Sequence, residues 1–347
     1  MGRKIKPGRR NMLDRYSSQI LFPALGEEGQ KRLGSSSVVI IGCGGLGATV
    51  ATLLVRAGIG RVKIIDRDFI EYHNLHRQVL FDEDDINNGL PKAIAAERHL
   101  KRINSSIEIE GIVADVNHTN VERLISGADL ILDGLDNFEG RFLINDVCLK
   151  HEIPWVYGAA ISSLGMTMNV IPHQTPCFRC LTFTIPNPKV IQTCDTVGVI
   201  NPVPFIIGSL ESVEAMKILS GTKKINRDLI FIDVWQGSFQ HLKTSRRRDC
   251  PACRGEYQFL EGEPGLKVTS LCGQDAVQVL SPEVGEVSLE KLAARLRQAG
   301  KVTLNEFMIR FKVDDQEMVI FPDGRAIIKD TNDESFARGL YTKYIGA

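Results

Sequence analysis

The 347-residue sequence has no apolar run approaching the roughly 20 residues that a membrane-spanning helix needs. Its start lacks the apolar stretch of a secretory signal as well: Arg3-Lys4-Ile5-Lys6 through Arg9-Arg10 is basic, and residues 1–12 read as a solvated arm. There is no excess charge of either sign. Forty-two basic residues balance forty-two acidic ones, which argues against a partner such as nucleic acid or an anionic membrane surface. No internal repeat or low-complexity tract interrupts the pattern. Only eight cysteines occur, four of them at metal-ligand spacing, so the expectation is a reducing compartment, the cytoplasm, and no disulfide framework. With 43% hydrophobic and 24% charged residues the chain can bury a large core, and one large domain plus an appendage is expected.

Two Cys-x-x-Cys pairs stand out, Cys177/Cys180 and Cys250/Cys253, with a lone Cys194 between them. Each pair places two thiolates on one knuckle, and two knuckles supply the four soft ligands of a closed tetrahedral zinc site. Pro176 before the first pair and Pro251 inside the second favour sharp knuckles over a helix-opening redox turn. The other readings are two redox dithiols or four unrelated buried cysteines. Cys43, Cys148 and Cys272 read as small buried apolar residues.

Ser37-Val38-Val39-Ile40-Ile41 is the short continuous apolar run of a buried parallel strand, and the turn Gly42-Cys43-Gly44-Gly45-Leu46-Gly47 follows it directly. A helix is expected from Leu46 to Ala57, ended by Gly58 and Gly60, and a second strand over Arg61–Asp66. This turn lets a phosphate approach the backbone at a helix N-terminus, and Asp66 can accept hydrogen bonds from ribose hydroxyls. Further strands are expected over residues 107–113, 130–133 and 154–158, with helices over 91–103 and 141–150. The fold class implied is α/β: a Rossmann-like, doubly wound, mostly parallel sheet with a zinc-stitched C-terminal half. From about residue 262 the pattern changes to a small α/β appendage, with a helix over 288–299, strands over 307–313, 318–321 and 326–329, and a turn at Pro322-Asp323-Gly324-Arg325. A lid over a sheet edge is the plainer reading of this appendage, and a docking surface for a protein the sharper one.

The glycine turn alone leaves nucleotide chemistry open, since dehydrogenases share it. The segment Asp66-Arg67-Asp68-Phe69-Ile70-Glu71-Tyr72-His73-Asn74-Leu75-His76-Arg77-Gln78 adds amide, guanidinium and imidazole groups where a triphosphate could lie. Lys92 stands at a predicted helix start, and Asp136 and Asn137 follow a strand. Arg77 and Lys92 would neutralise phosphate oxygens, and Asp136 could hold the Mg²⁺ bridging them.

Taken in order, these motifs identify a resemblance. The Arg15-Tyr16-Ser17 opening, the 42–47 loop, Asp66-Arg67-Asp68, Asn74 to Gln78, Pro91-Lys92, Asp136-Asn137 with Arg141, the two cysteine pairs, Thr193-Cys194 and the helix over 208–221 carry it. Residues 13 to about 255 resemble the ubiquitin-activating-enzyme-like superfamily, in its MoeB/ThiF branch of sulfur-carrier adenylyltransferases. The resulting division is an arm over 1–12, an adenylation domain over 13–260 and an appendage over 262–347.

The resemblance implies Mg-ATP, a structural Zn²⁺, a homodimer and a small β-grasp, ubiquitin-like sulfur carrier ending in Gly-Gly. The carrier's terminal carboxylate would be joined to AMP, and a separate sulfur donor would then supply the thiocarboxylate for thiamine, molybdopterin or related sulfur transfer. Gly42, Gly44, Gly45 and Gly47 are implied to line the nucleotide, Asp66 to take the ribose, Asn74, Arg77 and Lys92 to grip phosphates, and Gln78 to belong to the same nucleotide-binding set. Asp136, Asn137 and Arg15 complete the implied set, and Cys194 matches the position of a reactive cysteine on a loop. Two departures stand out. Ser18 occupies the place of a second arginine, and no arginine-flanked sulfurtransferase loop surrounds Cys272. The Ser18 change keeps alive an ATP-binding scaffold, or pseudo-enzyme, for a ubiquitin-like partner, and a dehydrogenase is the least supported reading.

Overall fold

The computed structural model describes residues 15–182, 194–222, 224–261, 267–271, 275–280 and 287–346. The expected basic arm and Cys272 lie outside the described residues. The chain divides into two compact units, residues 1–191 with 199–262, and residues 192–198 with 263–347.

In the first unit the elements run α1 (Ser17–Ile20), α2 (Gly26–Ser35), β1 (Ser37–Ile41), α3 (Gly45–Ala57), β2 (Arg61–Asp66), α4 (Glu83–Asn87), α5 (Lys92–Ile103), β3 (Glu108–Val113), α6 (Val121–Ile125) and β4 (Leu130–Asp133). They continue with α7 (Phe138–Lys150), β5 (Trp155–Ile161), β6 (Leu164–Val170), α8 (Phe178–Leu181), then after the short helix α9 (Cys194–Val197) of the second unit, α10 (Pro202–Ser220), β7 (Leu229–Asp233), β8 (Ser238–Leu242) and α11 (Gln258–Glu261). Among the described residues the sheet has the order β3-β2-β1-β4-β5-β6-β7-β8. Pairing is parallel from β3 through β5 and antiparallel from β5 through β8.

The continuous apolar run of β1 has a two-sided explanation. Val39 and Ile41 join a cluster with Phe142, Ile144 and Val147 of α7, while the alternate residue Ile40 faces Gly47 of α3. Both faces of the strand are covered, so each successive side chain is buried whichever way it points. The sequence reading holds no strand of this unit beyond Gly158, and the structure adds β6, β7 and β8. β8 is exposed along nearly its whole length, so no one-sided apolar alternation marks it.

The glycine turn is also a packing joint. Gly42 has φ +90°, which favours glycine, and it leads the chain from β1 into α3. A side chain at Gly47 would collide with the Gly42 carbonyl, and one at Gly134, just past β4, would collide with the same group. Helix α3 can sit this close to the ends of β1 and β4 only because all three positions lack a Cβ. It ends at Gly58, left-handed at φ 84°, whose amide closes onto the Leu54 and Val55 carbonyls.

The second unit carries β9 (Lys267–Leu271), β10 (Ala276–Leu280), α12 (Leu289–Leu296), β11 (Lys301–Leu304), β12 (Ile309–Val313), β13 (Gln316–Ile320), β14 (Ala326–Lys329) and α13 (Glu334–Tyr344). Its described strands form an antiparallel sheet in the order β11-β12-β13-β14-β10-β9. Alternate residues Val277, Val279, Ile309, Phe311, Met318 and Ile320 pack with Leu292, Leu296 and Tyr341 of the two helices. Ser288 caps α12, and Asp333 caps α13 by accepting the Ser335 and Phe336 amides at 2.9 and 3.0 Å.

Gly47→Ala is expected to lower the unfolding free energy by about 1–3 kcal/mol, because a methyl is forced against backbone that cannot yield. Denaturant titration should show a lower midpoint with an unchanged slope; an unchanged midpoint would mean that α3 tolerates a retreat from β1.

Candidate active site and metal centre

The parallel strands β1, β2 and β4 end together, and the candidate site is built on those ends. Gly44 and Gly45 are half-buried where the turn enters α3, whose first amides have no partner within the helix. Asp66, the last residue of β2, accepts the Cys43 amide at Oδ2 (2.5 Å) and the Asp68 amide at Oδ1 (2.7 Å). This carboxylate therefore pins the glycine turn to the segment that follows β2. Burial pushes its pKa up, partly opposed by the Lys92 charge.

Past Asp68 the chain forms a short 3₁₀ turn, Tyr72–Asn74, closed by a reciprocal cap in which Asn74 Oδ1 accepts the Glu71 amide at 3.2 Å. Arg77 Nη1 donates to the His73 carbonyl at 2.9 Å, and the Arg77 carbonyl lies beside Gly45. Gln78 is buried, its Nε2 lies beside Gly44, and its Oε1 has no hydrogen-bond partner among the described residues.

Lys92 follows Pro91 as the first residue of α5, and its Nζ lies 3.1 Å from Asp68 Oδ2. Burial works against the Lys92 charge, but Asp68, Asp66 and Asp136 outweigh it and hold the ammonium above its usual range. Arg67 behaves alike: burial opposes its charge, and Asp115 at 2.8 Å together with Asp68 and Asp136 more than restores it. Fixed cations and carboxylates thus alternate around the strand ends. Sequence reasoning did not assign Asp68, Arg67 or Asp115 to the site; Arg67 and Asp68 stood in a motif, while Asp115 carried no signal.

β4 delivers a buried ion pair. Arg141 Nε donates to Asp133 Oδ2 at 2.8 Å, and its Nη2 donates to the Leu135 and Gly158 carbonyls at 2.5 and 2.9 Å. Asp133 Oδ1 accepts the Leu135 amide at 2.9 Å. Leu135 is held at both its N–H and its C=O, which sets the course of the next residue, Asp136. Asp136 and Asn137 are exposed. Asn137 Oδ1 accepts the Gly140 amide at 2.8 Å and so caps α7, while its Nδ2 donates to Asp136 Oδ1 at 3.3 Å.

The structure gathers Gly44, Gly45, Asp66, Gln78, Lys92 and Asp136 around the strand ends, with Asn74 and Arg77 on the adjoining turn. Others of the sequence-derived set have different surroundings. Gly42 and Gly47 are buried against backbone, and Asn137 steers Asp136 and caps a helix. Arg15 Nη1 donates to the Ile103 carbonyl at the far end of α5 from Lys92, so its own chain does not bring it into the cradle. Cys194 opens α9, and its side chain lies outside the described residues. Cys43 and Cys148 are buried, and burial holds both thiols well above their usual pKa.

The four paired cysteines form one cluster. Sγ separations are 3.7 Å for Cys177–Cys180, 3.6 Å for Cys177–Cys250, 3.6 Å for Cys180–Cys253 and 3.5 Å for Cys177–Cys253. Distances between pairs match the distance within a pair, which argues against two independent dithiols. A tetrahedron with metal–sulfur bonds of about 2.3 Å has edges of about 3.8 Å, so these sulfurs fit a zinc ion. The Arg247 amide donates to Cys180 Sγ at 3.5 Å, the kind of outer contact that orients a thiolate.

A family model described as the ThiF family matches residues 16–252. The chain belongs to the ThiF family. Among relatives, the sulfur carrier protein ThiS adenylyltransferase of Bacillus subtilis (strain 168) is 43% identical over 339 residues, covering 96% of this chain and 100% of that protein. The SAMP-activating enzyme E1 of Haloferax volcanii is 38% identical over 242 residues, 70% of this chain and 88% of that one. Among solved structures, E. coli MccB with AMPCPP and MccA is similar with a TM-score of 0.61 and 26% identity, over 71% of this chain and 76% of that chain. The ThiF-family match spans the whole eight-stranded sheet and three of the four clustered cysteines, Cys177, Cys180 and Cys250.

Cys250→Ser should remove bound zinc, read by elemental analysis of the purified protein, and lower stability by about 4 kcal/mol, because the surrounding cluster loses the ion that joins α8 to the 250–253 knuckle. A variant that keeps a full equivalent of zinc would contradict the four-thiolate site.

Proposed function

We propose that the chain adenylates the C-terminal glycine carboxylate of a small, ubiquitin-like β-grasp sulfur carrier, as a sulfur-carrier adenylyltransferase. The observation that carries this reading is the buried, charged Lys92 set among Asp66, Asp68 and Asp136 beside the glycine cradle. Hydride transfer has no use for that arrangement, whereas bringing a carboxylate up to a triphosphate requires fixed cations and in-line positioning. Similarity to the Bacillus subtilis protein over nearly the whole of this chain supports it further.

A carrier carboxylate oxygen attacks the α-phosphorus of ATP, a C–O–P bond forms, and the bond from the α-phosphorus to its bridging oxygen breaks, pyrophosphate leaving with the electron pair. The first amides of α3 and Gln78 hold the nucleotide, and Asp66 takes the ribose while keeping the turn closed. Lys92 and Arg77, with Asn74, spread positive charge and donors along the phosphates. Asp136, exposed and steered by Asn137, is the residue to hold Mg²⁺, which when bound neutralises the pyrophosphate leaving group. The four cysteines hold a structural Zn²⁺.

The remaining assignments rest on the same reading. Residues 13–260 are the adenylation domain and 262–347 the appendage. A separate protein donates sulfur, and after adenylation the Cys194 thiol, losing its proton, attacks the acyl carbon of the carrier adenylate, forming a thioester as the acyl C–O bond breaks and AMP leaves. A homodimer is supported by α10, which is apolar on nearly all sides yet leaves Ile206 and Val213 exposed. No helix among the described residues is long and apolar enough to cross a membrane, and cysteine usage supports a reducing compartment, the cytoplasm.

ATP–pyrophosphate exchange with candidate carriers ending in Gly-Gly is the direct test. Wild type should exchange only with carrier present, Asp136→Ala should lose about 100-fold or more, and Cys194→Ala should keep exchange while losing sulfur transfer. ATP binding with no exchange for any carrier would favour the scaffold reading instead.

A further inference from the structure

Glu211 lies midway along α10, fully buried, and among the described residues neither of its carboxyl oxygens has a hydrogen-bond partner. It packs onto β5 at Gly158: a side chain at that position would overlap Glu211 Oε1, so glycine there is what leaves room for the carboxyl group. Gly158 is also the residue whose carbonyl accepts Arg141 Nη2 at 2.9 Å and whose amide approaches Asp133 Oδ2 at 3.5 Å. The titratable and charged groups facing Glu211 are Asp133 from β4, Arg141 from α7 and Tyr157 from β5.

Two carboxyl groups therefore face one guanidinium in the buried interior. Asp133 is in direct contact with it and accepts two further amide hydrogens, whereas Glu211 has no donor of its own. Charging Glu211 would leave a net negative, unsolvated cluster, which costs more than keeping the proton. It would also set up a competitor for Arg141, whose Nη2 is otherwise committed to Leu135 and Gly158.

We propose that Glu211 is a positioning residue of this site: as an uncharged carboxyl group it leaves the Arg141 guanidinium with Asp133 and Leu135, and so fixes the loop that carries Asp136. The inference rests on the adenylation reading, because what Leu135 positions is the proposed Mg²⁺ ligand. Burial raises the Glu211 pKa well above the usual carboxylate range, with Asp133 adding to the shift and Arg141 opposing it. The folded chain then holds a proton that the unfolded chain releases. Stability is complete at pH values below the ordinary glutamate range and falls as pH rises toward the folded value, whereas loop order in the folded chain persists until Glu211 itself loses its proton.

The test compares wild type, Glu211→Gln and Glu211→Ala across pH in carrier-dependent exchange, with ATP affinity measured by calorimetry alongside. Glutamine reproduces the neutral acid in shape, so E211Q should stay within about threefold of wild type in kcat/KM at neutral pH. Toward alkaline pH the wild-type KM for ATP should rise about tenfold while that of E211Q stays flat. E211A should lose at neutral pH what E211Q retains; if E211A does not fold, the wild-type and E211Q profiles still decide. An infrared difference spectrum, wild type minus E211Q, should show the C=O stretch of a protonated carboxyl at neutral pH. An E211Q profile that follows wild type into the alkaline range, or the absence of that band, would overturn the proposal. Absence of exchange in wild type at every pH would instead count against adenylation, and the calorimetric profiles would then decide the role of Glu211 by the same comparison.

Discussion

The carboxylate of Asp66 holds the site together. One oxygen takes the Cys43 amide in the glycine turn, and the other takes the Asp68 amide at the start of the segment that reaches toward Arg77. Without that bridge the turn and the segment would be two loops with independent freedom. With it, Asp68 is placed to hold Lys92, and the first residue of α5 is drawn toward the mouth of the cradle. The residue expected to meet a ribose thus also assembles the site that receives it, and a carboxylate has lone pairs enough for both.

Charge is arranged in the same economical way. Lys92 and Arg141 are buried, Arg67 is half-buried, and each keeps its charge, because carboxylates close by outweigh the cost of leaving water. Cations prepared in this way need no reorganisation when a polyanion arrives, which is where electrostatic preorganisation acts most strongly. The carboxylates do more than neutralise: Asp133 orders the backbone that presents Asp136, and Asp68 aims an ammonium group.

Much of this was legible in the residues. The apolar run before Gly42, the acidic end of β2, Pro91-Lys92 and the two cysteine pairs were each read in their places, because a buried parallel strand, a helix start and a metal knuckle write short local patterns. The late strands β6 to β8 were not read. β8 is exposed on both sides and has no alternation to show. The glycines of the turn looked alike in sequence, yet Gly44 and Gly45 face the cradle while Gly42 is pressed against backbone just past β4 and Gly47 against the Gly42 carbonyl. Asn137 carried the signal of a ligand contact, and the structure adds that its amide caps α7 and steers its neighbour. Glu211 gave no signal at all, since a glutamate on a helix is ordinarily a solvated one.

By itself the sequence determined the class of fold, the glycine turn between the first strand and its helix, the family resemblance and the two Cys-x-x-Cys pairs that come together. These are encoded over spans of a few residues by steric and hydrogen-bonding preferences that hold wherever the segment lies. Only the tertiary structure decided that Cys177 faces both Cys250 and Cys253, that Asp68 belongs with Lys92, and that Arg141 clamps Leu135 rather than reaching outward. Most of those pairings join residues far apart in the chain, and burial makes them selective: in water each charged group would be solvated with little preference of partner, whereas inside the fold each must be matched by the groups the sheet sets beside it.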